Sequence, residues 1–202
     1  MNESRVYDLP TRVFHWLFAF LFVVAFAIGN SVDDDSSLFS YHMLAGIVLF
    51  LLVIFRLVWG IIGTKYARFS GFSLNPRELL EYFKGVLTGM SRTWIGHNPA
   101  SSWAAIMMML FALGLGVTGY LMSNGEGGHD LKEVHELLAN GFLIVVLLHI
   151  AGVVLHSLRH RDGIWKSMFG GQKSPALEQI PPVPTYATLG ILLLVATIGF
   201  SG

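Results

Sequence analysis

Cysteine is missing altogether from the 202 residues. Its absence excludes disulfides, thiolate metal centres, iron–sulfur clusters and haem attached through thioethers. Charge is scarce as well. Asp, Glu, Lys and Arg together make up 13% of the chain, where a soluble domain carries about 25%. That is too little to solvate a globular surface. The 13 bases and 13 acids cancel to a net charge of zero, so the chain has no overall basic footprint for nucleic acid. What abounds is apolar, 53% of the residues, gathered in long runs. Against that background eight histidines are the anomaly, because ionisable side chains in an apolar medium are costly and mark function by default.

A helix that crosses a bilayer needs about 20 mainly apolar residues. Five windows meet or approach this, near 13–28, 42–62, 103–122, 134–158 and, shorter, 186–200. The first reads as a span rather than a secretory signal. Trp16 and its aromatic neighbours are bulky, and no small-residue cleavage pattern precedes Asp33, Asp34 and Asp35. The bases are strongly sided. Eleven of the thirteen lie in the N-terminal arm and in the segments after the second and fourth windows. Lys132 alone lies on the other side, and Arg56 falls within a window. The positive-inside rule therefore puts the N-terminus in the cytoplasm and, with five spans, the C-terminus outside. Asn75 followed by Pro76 starts a short amphipathic interfacial helix over 76–87. Pro181, Pro182 and Pro184 mark a linker at 176–184 between a main unit, 1–175, and the last apolar stretch, 185–202. The expected fold class is all-α: a membrane four-helix bundle with a fifth C-terminal transmembrane helix.

Four histidines stand out by depth. His15 lies near the cytoplasmic start of the first span, His42 and His135 open the second and fourth spans on the outer side, and His149 lies deep in the fourth. Fourteen residues separate His135 from His149, close to four turns, so the two share a face about 21 Å apart along the axis. His135 is then level with His42, and His149 with His15. Each pair is placed to clamp a planar group between helices. That is the geometry of two bis-histidine haems stacked across a bilayer, in which both axial positions are filled and iron is kept for electron transfer. Zinc is the competing ligand for histidines, but it gathers three or four donors at one point.

Several neighbours have two readings each. Gly46, one turn after His42, and Gly152, three residues after His149, either let a porphyrin approach the helix or serve helix–helix packing. Arg56, fourteen residues after His42, either pairs with a haem propionate or snorkels to the cytoplasmic interface. His156, seven residues after His149, either contacts a propionate or a quinone headgroup or is a polar residue of the interface. His97 falls in a turn before the third span, His129 in a Gly-rich outer loop and His160 in the basic cytoplasmic edge.

The pattern resembles the bacterial cytochrome b561 and NiFe-hydrogenase b-type cytochrome subunit family. The matching elements, over about residues 5–172, are Asp8 and Arg12 before His15-Trp16, then His42 with Gly46, then Arg56 with Trp59-Gly60. They continue through His97-Asn98-Pro99, Thr118-Gly119, His135-Glu136, His149 with Gly152, and His156 before His160-Arg161. The resemblance implies a diheme b-type cytochrome of the bacterial inner membrane, with two haem b. His15 and His149 would hold the inner iron, and His42 and His135 the outer one. Electrons would pass between membrane quinone and a periplasmic redox protein such as a c-type cytochrome or a hydrogenase-like subunit. The acidic outer side (Asp33, Asp34, Asp35, Glu126, Asp130, Glu133) suits a basic partner. A stand-alone oxidase that takes electrons from superoxide would need a basic outer face instead. A non-redox transporter would show inverted repeats or broken paired helices, and the sequence has neither.

Overall fold

The computed structural model describes residues 4–89, 94, 96–160, 164–173 and 181–200. Its main helices are α1 (Leu9–Ser31), α2 (Phe39–Ile62), α3 (Pro76–Thr88), α4 (Pro99–Ser123), α5 (Gly128–His160), α6 (Ser167–Gly170) and α7 (Ala187–Phe200). Three of them start alike. Asp8, Asn75 and Asn98 accept an N–H of the first turn, from Thr11, Arg77 and Ser101, and a proline follows at one of the first two positions. These caps, rather than loss of apolarity, set the helix starts, so α1, α3 and α4 begin at their punctuation and the long helices overrun the apolar windows. α5 overruns furthest. His129, expected in a loop, stands in its first turn, exposed and 3.1 Å from Glu133.

Among the described residues four helices are long and apolar enough to cross a membrane: α1, α2, α4 and α5. Large apolar side chains such as Phe20, Ile47, Leu110 and Leu148 face outward from all four, which suits lipid and not water. α7 is apolar but has only 14 described residues, about 21 Å of helix. Of the expected linker, 176–180 lie outside the described residues.

The four helices pack in a row that folds back on itself: α1 on α2, α2 on α4, α4 on α5. The seam on α2 is regular. Ala45, Val48, Leu49, Leu52, Val53, Arg56, Trp59 and Gly60 are its buried residues, at the three- and four-residue steps of one helix face. α1 answers with Phe14, Phe18 and Phe22. α4 and α5 approach closely because Gly141 leaves room for the ring of Phe111. The closing side, α5 towards α1, is made differently. There the long side chains reach across, with the Phe142 ring tilted against those of Phe22 at 4.2 Å and Phe18 at 5.7 Å. Among the described residues, Phe142 is the only one of α5 in the buried core.

One end of the bundle is tied by the N-terminal arm. Ser4–Arg5 pairs antiparallel with Gln172–Lys173, a two-residue ladder in an otherwise helical protein. Val6 and Tyr7 both donate to the carbonyl of Gly171, and the arm also meets the stretch before α7: Val183 donates to Arg5 and Leu9 to Thr185. α7 itself lies along α1. Burial pushes the Tyr7 phenol up, so it stays protonated.

Asp8 is the buried centre of this end, with no exposed surface. Its carboxylate caps α1 through Thr11, accepts from the Trp59 indole at 3.2 and 3.3 Å and from the Thr64 hydroxyl at 2.5 Å. It therefore fastens the start of α1 to the end of α2. Asp8→Ala removes the cap and strands two buried donors, and should cost about 2–4 kcal/mol. Asp8→Asn keeps one acceptor and should cost less. Thermal unfolding of the detergent-solubilised variants checks the order, wild type above Asn above Ala; an alanine variant as stable as wild type would remove the clamp.

Candidate functional site

His42 on α2 and His135 on α5 come together. Their ring centroids stand 6.1 Å apart with the planes inclined at 65°. Two imidazoles bonded at about 2 Å to opposite sides of one metal ion place their centroids about 6 Å apart. The other nitrogen of each ring is engaged. Nδ1 of His42 lies 2.8 Å from the carbonyl oxygen of Ala25 on α1. A carbonyl only accepts, so Nδ1 carries the proton and Nε2 keeps its lone pair. Nδ1 of His135 lies 2.7 Å from the Thr118 hydroxyl on α4. That hydroxyl is also 2.9 Å from the Gly114 carbonyl of its own helix. With Nδ1 protonated, the hydroxyl accepts from the ring and gives its own proton to the carbonyl, which leaves Nε2 of His135 as the atom with the lone pair. This is the arrangement that fixes tautomer and orientation in metal-binding histidines.

His15 on α1 and His149 on α5 lie within electrostatic reach of each other. Their surroundings are held by the segment after α5. The Trp16 indole, edge-on to the His15 ring at 5.3 Å, donates to the carbonyl of Met168 at 3.1 Å and packs on Phe169. Arg12 donates to the carbonyl of Phe169. Between the two histidine pairs stands Phe142, seven residues from each histidine of α5 and fully buried.

Among the described residues no three His, Cys, Asp or Glu side chains gather at one point. A tetrahedral zinc centre is therefore not built here, and the donors come as imidazole pairs, the set that suits haem iron. The surroundings fit a porphyrin. A Cβ placed on Gly46 or Gly152 would meet nothing within 4 Å, so neither glycine is a contact point between helices of this chain. Each opens onto space beside its histidine. Arg56 is 4% exposed and does not snorkel. Its Nη2 donates to the carbonyl of Ala67 at 2.8 Å and its guanidinium lies over Phe69 at 4.9 Å. Nη1 is buried without a hydrogen bond, a cationic donor of the kind a carboxylate satisfies.

His156, half-buried on α5, has Nδ1 3.4 Å from the Tyr82 hydroxyl of α3, which also accepts from Asn98 at the head of α4 at 3.1 Å. His97 does not join either pair; its ring packs on Phe72 at 4.5 Å and meets Tyr7 edge-on at 5.8 Å. Four contributors escape a reading of the sequence. Ala25 acts through its main chain, which leaves no trace in residue type. Gly29, one turn further on α1, lets the His42 ring approach, since a Cβ there would stand 3.0 Å from it; the small pair at four-residue spacing was its only signal. Thr118 was visible as a motif residue without a role, and Tyr82 was one aromatic among many.

With this geometry in view, comparison with known proteins is informative. The family model of prokaryotic cytochrome b561 matches residues 6–171. A probable Ni/Fe-hydrogenase B-type cytochrome subunit of Rhizobium leguminosarum bv. viciae is 27% identical, over 83% of this chain and 87% of that protein. A probable Ni/Fe-hydrogenase 1 B-type cytochrome subunit of Escherichia coli K12 is 26% identical, over 79% of this chain and 75% of its own length. The corresponding protein of Rhodobacter capsulatus is 24% identical over 84% and 80%. No solved structure matches significantly. The chain belongs to the prokaryotic cytochrome b561 family and is a haem-binding, multi-pass membrane protein of electron transport.

Proposed function

We propose that the chain is a diheme cytochrome of the bacterial inner membrane, N-terminus in the cytoplasm, that passes electrons between a periplasmic redox protein and quinone. His42 and His135 hold the outer haem b, His15 and His149 the inner one, about 21 Å apart along α5. The observation that carries this is the outer pair: two imidazoles 6.1 Å apart, each with its Nδ1 proton given to a neighbouring helix. A haem held by these imidazole pairs would supply one-electron transfer. The protein's part is to fix ligands, spacing and charge. Gly46 and Gly152 leave room for the porphyrin planes, and Arg56 offers Nη1 to a propionate of the inner one.

The outer rim favours a protein partner. Its base, Lys132, is bound to Asp34 at 2.6 Å, and the remaining charges there are acidic, so the rim draws a basic surface and not a small anion. Relatives bear the name of hydrogenase cytochrome subunits, which makes a hydrogenase-like subunit the first partner to seek. At the other end, Tyr82, Asn98 and His156 present hydroxyl, amide and imidazole together at the junction of α3, α4 and α5. They suit the oxygen of a quinone headgroup, within two turns of His149.

Two measurements test this reading. The purified protein should show a reduced b-type spectrum with two haems per chain. His42→Ala and His135→Ala should each remove the same haem, and His15→Ala and His149→Ala the other; loss of one haem shared across these two sets sinks the pairing. Separately, Tyr82→Phe and His156→Gln should leave both spectra intact while slowing re-oxidation of the reduced protein by quinone about tenfold, as loss of one charge-assisted or neutral hydrogen bond to a bound ligand implies. Unchanged re-oxidation would move the quinone elsewhere.

A further inference from the structure

The hydroxyl of Thr118 has three polar neighbours and one proton. It stands 2.9 Å from the Gly114 carbonyl, 3.2 Å from that of Leu115 and 2.7 Å from Nδ1 of His135. For Nε2 of His135 to keep its lone pair for iron, Nδ1 must carry the ring proton; the hydroxyl then accepts it and gives its own proton back along α4 to the carbonyls, which can only accept. The result is a directed chain, His135 N–H to Thr118 O–H to Gly114 C=O, each bond polarising the next. Thr118 is 7% exposed, so water does not compete for the contact. The partner of His42 is a main-chain carbonyl. Thr118 is thus the one side chain that takes the Nδ1 proton of a histidine in either pair: among the described residues neither His15 nor His149 forms a ring hydrogen bond.

We infer that Thr118 is a positioning residue for the outer haem, fixing the tautomer of His135 and lowering that haem's midpoint potential by making the imidazole a stronger donor to iron. The inference rests on His42 and His135 being the outer ligands. Its physical basis is general: an acceptor on the distal nitrogen of a ligating histidine raises ligand basicity, and a more basic ligand favours the ferric over the ferrous state. A hydroxyl does this less than a carboxylate, and its orientation is locked because its own proton is committed to the helix backbone. Among the described residues the inner pair lacks the device, so the effect is confined to one of two haems.

The experiment is a spectroelectrochemical titration of the diheme protein carrying Thr118→Val, which keeps shape and removes the acceptor, beside Thr118→Ser, which keeps the hydroxyl. In the valine variant one potential should rise, the one belonging to the haem that His135→Ala removes, while the other stays. The serine variant should titrate near wild type. Transfer of the outer haem to apomyoglobin should be about 10–100-fold faster from the valine variant. If valine expels the outer haem outright, its retention by serine still identifies the hydroxyl. Two unshifted potentials in the valine variant, equal movement of both, or a serine variant that behaves like valine overturns the role of Thr118 while leaving the ligand pairs standing. A wild-type protein without two haems overturns the pairs themselves.

Discussion

One unbroken helix sets the length scale of this molecule. α5 carries His135, Phe142 and His149 at seven-residue steps, so the three side chains point one way with little drift and the outer ones are about 21 Å apart. Nothing along α5 can alter that distance without breaking its backbone hydrogen bonds. The rest of the bundle supplies matching groups at the two ends, His42 from α2 at one and His15 from α1 at the other. In the middle, Phe142 meets Phe18 and Phe22 and, among the described residues, is the only member of α5 in the core. A helix of this length with one fully buried core side chain is held mainly by α4, where Gly141 permits close approach.

Matching the ends requires that α1 and α2 keep their register, and polar chemistry at the end that carries the N-terminal arm does this. Asp8 accepts from the α1 backbone, from Trp59 on α2 and from Thr64 just beyond it. A one-residue slip of either helix would strand a buried carboxylate or an indole N–H, each costing more than the apolar contacts could recover. Arg56, three residues before Trp59, turns away from the lipid to Ala67 and the ring of Phe69. In a chain this short of charge, the buried ionic groups Asp8 and Arg56 both sit where α2 meets neighbouring segments.

The spans were legible because lipid leaves helices only one solution, apolar along their length. Of the helix starts, that of α3 was legible through Asn75-Pro76, whereas Asp8 and Asn98-Pro99 cap α1 and α4 in the same way without having been read as starts. The pairing of His42 with His135 was legible because depth follows from counting residues along helices that cross the same slab, and the structure brings those rings together. What could not be read is whatever acts through backbone or fine approach. The carbonyl of Ala25, the space left by Gly29 and the ladder of Ser4–Arg5 with Gln172–Lys173 have no signature in residue type. Arg56 was left between a propionate and snorkelling because its neighbours Ala67 and Phe69 come from the 64–72 loop, whose placement is a tertiary fact. Likewise Gly46 and Gly152 were ambiguous until the helices were placed, since only the neighbours show whether a glycine faces a helix or open space.

The outer histidines are bolted to helices other than their own. His42 rises from α2 and gives its Nδ1 proton to α1; His135 rises from α5 and gives its proton to α4. Each imidazole is thereby a strut across a helix interface, and ring orientation follows helix packing. The inner pair is organised the other way round. There, among the described residues, the rings carry no such strut, and the protein instead anchors the residues flanking His15: Arg12 and Trp16 donate to the carbonyls of Phe169 and Met168. The outer site therefore inherits the stiffness of the bundle, while the inner site depends on a short segment that follows α5 and folds back under α1. Any movement of that segment, or of the arm that pairs with it, acts on His15 first and leaves the geometry of His42 and His135 intact.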